Sequence, residues 1–147
     1  MQAFPHRYKV EASGSLEGDV TLAGARLPSF GSAPPTEFDG PGDRWSPETL
    51  LVAAVADCFV LTFRAMARMS KLPWISLTCD VVGTVDRVER LTQFTGFRVR
   101  AHLQVPEGTD EGQAHRVLAK TEQTCIVANS LKAGSHLDAQ VEVAIPA

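Results

Sequence analysis

From Leu50 to Phe63 the sequence reads LLVAAVADCFVLTF, with Asp57 as its one charged residue. A run this apolar must be buried or must span a bilayer. Fourteen residues are too few to cross a hydrocarbon core, which takes roughly 20, and Asp57 interrupts them. Just before the run stands Ser46-Pro47-Glu48, the order of a helix start: an N-cap hydroxyl, a proline at the first helical position and an acid in the first turn. The next proline is Pro73, so the spacing predicts a helix over Pro47 to about Lys71. It is apolar on nearly every side through Phe63, which predicts a central, buried helix. Asp57, Arg64 and Arg68 form its one polar stripe, the two arginines lying within roughly 20° of Asp57 at 100° per residue.

The rest of the chain must supply what packs on that helix. Leu77–Asp86 places Leu77, Cys79, Val81 and Val85 on one face. In Gly96–Val105, Phe97, Val99, Ala101, Leu103 and Val105 alternate with Arg98, Arg100, His102 and Gln104. This period of two marks antiparallel strands with one wet face. Thr109 or Asp110 caps a helix to about Gln123, and Thr124 caps a shorter one ending at Gly134. Ala139–Ile145 forms a last strand. Near the N-terminus, Lys9–Ala12 alternates weakly, and Val20–Leu22 with Ala25–Leu27 is expected to form a hairpin around Gly24. Pro28 to Trp45 is dense in proline and glycine and reads as a long loop. The order of elements makes an α+β chain, and 147 residues suit one domain over 1–147.

A net charge of −3 and a pI near 5.8 argue against nucleic acid or an anionic membrane as partner, since either calls for a basic patch. The first residues lack the apolar segment of a signal peptide, so a cytoplasmic protein is expected. The three cysteines are an odd number and do not make a secreted disulfide framework. His6, His102, His115 and His136 are scattered, with no Cys-x-x-Cys or His-x-x-x-His, so no metal is expected. His102, on a wet strand face, reads as a solvated residue. Glycine-rich phosphate loops and the Gly-x-Ser-x-Gly elbow are missing too, so no nucleotide cofactor and no serine-hydrolase chemistry are expected.

Each cysteine then needs its own reading. Cys79 faces the apolar side of a strand and reads as a packing residue. Cys58, mid-helix among Leu51, Ala54, Val55, Leu61 and Thr62, is open to two readings: core packing, or a nucleophile given a partner that favours its thiolate. Cys125 is expected in the first turn of a helix, where unpaired amides favour a thiolate.

The stretch Trp45-Ser46-Pro47-Glu48, followed by Leu50–Ala56, Asp57 and Cys58, resembles the central helix of the OsmC/Ohr family: a Pro-Glu start, an Ala-rich stretch and a cysteine ten residues after the Glu. Thr124-Cys125-Ile126-Val127-Ala128-Asn129-Ser130-Leu131 resembles the family's second-cysteine helix. The resemblance implies an OsmC-like two-layer fold in which antiparallel sheets surround a long buried helix, assembled as an intertwined homodimer. It also implies a thiol-dependent peroxidase that reduces organic hydroperoxides without a cofactor. Carried over, Cys58 is the attacking residue, Cys125 the resolving one and Glu48 the site carboxylate. A dithiol, free or on a lipoylated protein, is the implied reductant. Three positions depart from the pattern. The early hairpin and the pre-helix loop lack the family's arginine, leaving Arg44, then Arg26, as replacements. Asp57 stands where a small residue is usual, and Ile126 where proline is common. Helix geometry adds that Glu48 and Cys58 lie roughly 15 Å apart along the axis and about 80° apart in direction, so a shared site requires Glu48 from the partner subunit. The alternative function is a non-catalytic protein that binds an apolar small molecule in the dimer cleft.

Overall fold

In the computed structural model, which describes residues 1–145, the chain gathers into two units, one covering Met1–Leu50 and one beginning at Leu51. The first holds an antiparallel sheet of β1 (Glu11–Ser13), β2 (Val20–Ala23) and β3 (Phe30–Ser32), in that order. Val20–Leu22 therefore pairs with Phe30–Ser32, and not with Ala25–Leu27 as expected. The turn explains the difference. Leu27 N–H donates to Gly24 O at 3.1 Å and Arg26 is left-handed, with φ 63°, so residues 24–27 are used in reversing the chain. The Pro28–Trp45 segment is correspondingly more than a loop. It carries β3, a 3-10 turn at Thr36–Phe38 and a bridge from Ser32 to Trp45. Gly40 is needed there, because a Cβ would run into the Pro34 carbonyl.

Helix α1 (Pro47–Met69) starts as its sequence requires. Ser46 Oγ accepts from Thr49 N–H at 3.1 Å, and Ser46 N–H donates to Thr49 Oγ1 at 2.8 Å. This is a reciprocal capping box with threonine in the usual Glu/Gln place. Beyond Leu50 the helix packs on a second sheet, β4 (Ser76–Val88), β5 (Leu91–Val105) and β6 (Ser135–Val143), in that order. The predicted inward set of β5, Phe97, Val99, Ala101, Leu103 and Val105, is buried throughout. It meets Val55, Phe59, Phe63 and Ala67 of α1 in one core, together with Ala114, Val117 and Leu118 of α2 (Glu111–Thr124). By length and composition α1 would pass for a membrane span, yet this face is built into the core.

Two expectations need correction. The helix is not buried all round: Val55, Phe59, Phe63 and Ala67 are its buried residues, while Leu61 is 52% exposed. One sheet covers one side of a cylinder, and the apolar sequence extends beyond that side. The antiparallel pattern holds for β4–β5, but β6 joins β5 in parallel. The α2 connection carries the chain back to the end where β5 began, which only a long crossover can do. β6 also begins earlier than expected, at Ser135.

Candidate functional site

Cys58 is half-buried on α1, one residue from the buried Phe59. Its Sγ lies 3.7 Å from Thr62 Oγ1, one turn further along the helix. Opposite stands the break between α2 and α3 (Ile126–Asn129), where Cys125 is the extended residue, φ −62° and ψ 111°. Local side chains fix that break. Asn129 Nδ2 donates to Gln123 O at 3.0 Å, Thr124 Oγ1 to Lys120 O at 2.7 Å and Ser130 Oγ to Ile126 O at 2.8 Å. α3 is shorter than expected, and its N-cap is Cys125 rather than Thr124.

The result is an unequal pair of thiols. Burial pushes the Cys58 pKa up, but hydrogen bonds from the Val127 amide, the Cys125 thiol, the Thr62 hydroxyl and the Ile126 amide outweigh it and leave the thiol below its ordinary value. Cys125 moves the other way, to about 11. Burial is the main cause, and the hydrogen bond to Cys58 and the charge on that sulfur outweigh what the Ala128 and Val127 amides give back. The amides at the start of α3 thus favour the thiolate at both sulfurs, as expected for Cys125, but only at Cys58 do the hydrogen bonds outweigh burial. Periodicity placed Cys125 near a helix start, but it could not say which sulfur those amides would face.

Cys79 sits half-buried on the inner face of β4. Its pKa rises to about 11, through burial first and then the charges of Asp80 and Cys125, as suits a packed thiol. The remaining candidates lie in the first unit or on the surface. Arg44 is exposed, with Nε 2.8 Å from Asp19 Oδ2 and Nη1 3.2 Å from Asp43 Oδ2. Arg26 is exposed in its left-handed turn. Glu48 is half-buried, and its Oε2 is cut off from solvent with no hydrogen-bond partner among the described residues. Asp57 is exposed. His102 is not merely solvated: its Nε2 lies 2.7 Å from Glu142 Oε2 across the β5–β6 pair. Among the described residues no group of three or more metal-capable side chains gathers.

Sequence reasoning counted Thr62 only as a neighbour of Cys58 and gave no role to Asn129 or to the amides of Ile126 and Val127. Thr62 had a readable signal, a hydroxyl at i+4 from a helical cysteine; the amides depend on how α3 is set against α1.

The sequence model of the OsmC-like protein family matches residues 40–140, the stretch that carries both thiols. An uncharacterized protein of Bacillus subtilis (strain 168), YmaD, is 25% identical over 112 residues, 74% of this chain and 75% of its own. Among solved structures, an OsmC-like protein of unknown function from Vibrio cholerae superposes with a TM-score of 0.79 at 16% identity, covering 91% of this chain and all of the other. An organic hydroperoxide resistance protein OsmC from Legionella pneumophila does so with a TM-score of 0.70 at 23% identity, over 96% of this chain and all of the other. The chain belongs to the OsmC-like protein family.

Proposed function

We propose that this chain is a thiol-dependent peroxidase that reduces organic hydroperoxides, with Cys58 as nucleophile and Cys125 as resolving thiol. The observation that carries this reading is the unequal pair: one sulfur favoured as thiolate, hydrogen-bonded to a second held protonated. The thiolate is the reactive form of cysteine. Cys58 attacks the terminal oxygen of ROOH, the O–O bond breaks, and the departing alkoxide takes a proton and leaves as ROH. Cys58 is then a sulfenic acid. The charge that helped to hold Cys125 protonated has gone, so its thiol ionises more readily. Cys125 sulfur attacks Cys58 sulfur, the S–S bond forms, and hydroxide leaves and is protonated to water. A dithiol, free or on a lipoylated protein, restores both thiols and is itself oxidised to a disulfide. The resistance protein from Legionella pneumophila lends this chemistry support from within the family.

In this reading the protein works in the cytoplasm as a homodimer, and Glu48 and Arg44 reach the partner's thiol. Arg44 must share its charge with Asp19 and Asp43, so its effect on the thiol is modest. The deciding experiment treats reduced protein with a slight excess of cumene hydroperoxide and measures intact mass and peptide linkage. Rapid Cys58–Cys125 disulfide formation, lost in Cys58→Ser, is expected. Thiols that stay reduced, or equal peroxide consumption by Cys58→Ser, would end the peroxidase reading.

The second reading, a non-catalytic protein binding an apolar small molecule, is favoured by an apolar cleft of about 460 Å³ within the first unit. In this reading both cysteines serve in packing, and the same peroxide experiment leaves them reduced.

A further inference from the structure

An α-helix closes by hydrogen bonds from each N–H to the carbonyl four residues earlier. Run without interruption from α2 into α3, that ladder would carry Ile126 N–H to Glu122 O and Val127 N–H to Gln123 O. Neither bond forms. Cys125, extended at φ −62° and ψ 111°, separates the two helices. Both amides instead favour the Cys58 thiolate, and Val127 does so more than any other donor. A break of this kind leaves the last carbonyls of α2 without their usual partners, and an open carbonyl would draw the ladder shut again.

Gln123 O is not open. Asn129 Nδ2 donates to it at 3.0 Å, so a side-chain amide takes the place that Val127 N–H would hold in a continuous helix. The backbone N–H of the same residue donates to Cys125 O at 2.9 Å. Asn129 thus grips the chain on both sides of the extended residue, with a donor that an apolar or acidic side chain of its size lacks. α3 needs such a tie, because it has four residues and one turn of helix does not hold itself in water. The other side-chain bonds here, Thr124 Oγ1 to Lys120 O and Ser130 Oγ to Ile126 O, do not cross the break.

We infer that Asn129 is a positioning residue: by filling Gln123 O it keeps Val127 N–H off α2 and available to Cys58. Its side chain acts through the amide it releases, not on the sulfur. Its importance for turnover rests on the peroxidase reading, whereas its effect on Cys58 does not. In Asn129→Leu, close in size but without a donor, Gln123 O is free to recapture Val127 N–H and lengthen α2 at the expense of the site.

The test is a pH titration of the intact, reduced protein, followed by iodoacetamide alkylation of Cys58 and by the amide proton shift of Val127. In the unmodified protein that shift should move with the ionisation of Cys58. In Asn129→Leu, alkylation at neutral pH should slow about tenfold, as for one lost hydrogen bond to a charged acceptor, and the Val127 shift should cease to follow Cys58. A coupling through the hydrogen bond, from Val127 nitrogen to the Gln123 carbonyl carbon, should appear in the variant alone. Unchanged alkylation, or a Val127 shift that still follows Cys58, overturns the assignment. So does faster alkylation, the mark of a corner that has only loosened. Should Asn129→Leu fail to fold, the unmodified protein still decides, since that coupling in it, or a Val127 shift indifferent to Cys58, refutes the role. None of these measurements uses peroxide, so thiols that stay reduced under cumene hydroperoxide end the peroxidase reading and leave this one standing.

Discussion

In the proposed reaction Cys58 owes its reactivity to position rather than to type. Buried sulfur alone would be inert, as Cys79 illustrates: both thiols lose solvation, but only Cys58 receives amide and hydroxyl donors. Two substitutions test this. Thr62→Val and Cys125→Ala each remove a donor, so each should raise the midpoint of iodoacetamide alkylation of Cys58, whereas Cys125→Ser, which keeps a donor, should raise it less. An unchanged midpoint in both would dissociate those groups from the thiolate. Arg44→Ala should also raise it, by less than Thr62→Val, and a flat result removes Arg44 from the site. Cys79 and Cys125 make an opposite prediction for stability. With folded pKa values of about 11 against 9.0 for an ordinary thiol, the native state holds more protons than the unfolded chain between those values. Their contribution is fully present below about pH 9 and is lost as pH rises to about 11. In Cys79→Val the urea midpoint should therefore fall less steeply over that range than in the unmodified protein. At this scale the positions of both site cysteines were legible in the sequence. Their inequality was not, because it depends on which sulfur a distant backbone amide meets.

Among the elements, the β4–β5 hairpin holds the largest difference from expectation. It turns on Glu89 and Arg90, both left-handed at φ 51° and 72°, in a two-residue connection that ordinarily uses Asn-Gly. Without that signal the tight turn was invisible, and both strands, though expected to be antiparallel, were predicted short at the turn end. The same geometry predicts that Glu89→Asn with Arg90→Gly stabilises the protein by about 1–2 kcal/mol, since a left-handed residue with a Cβ is strained by roughly 1 kcal/mol or more. Equilibrium denaturation would measure it, and destabilisation would contradict the strain. Gly83 makes the reverse case. A Cβ there would stand 2.8 Å from Val52 Cγ2, 2.9 Å from Phe94 Cε1 and 3.1 Å from Phe97 Cε1, so β4 lies too close to α1 for a side chain. Gly83→Ala should cost about 1–3 kcal/mol through overpacking, read from the same denaturation curves. The start of α1 and its inward face were legible because capping and helical period are local properties. The parallel β6 was not, because a strand's alternation says which face it buries and nothing about which way its neighbour runs.

For the molecule as a whole, the apolar sequence of α1 exceeds what a single chain covers. Val55, Phe59, Phe63 and Ala67 account for one face, while Leu61 stands 52% exposed near Asp57 and Arg64. A homodimer would cover that surplus. Sedimentation equilibrium should then give twice the 15.8 kDa chain mass, and Leu61→Asp should lower it toward one chain and reduce peroxide consumption with it. A monomer of full activity would rule the dimer out of the mechanism. The proposed reaction also reaches the backbone. In that reaction the amides of Ile126 and Val127, which favour the Cys58 thiolate, have this acceptor only while Cys58 is reduced. Once that sulfur is bonded to Cys125, both N–H groups lose that charged acceptor, at the first positions of a four-residue helix. Deuterium should therefore enter Ile126 and Val127 faster in the oxidised protein than in the reduced one, and the redox state of one atom pair would be written in the solvent exchange of a single helical turn.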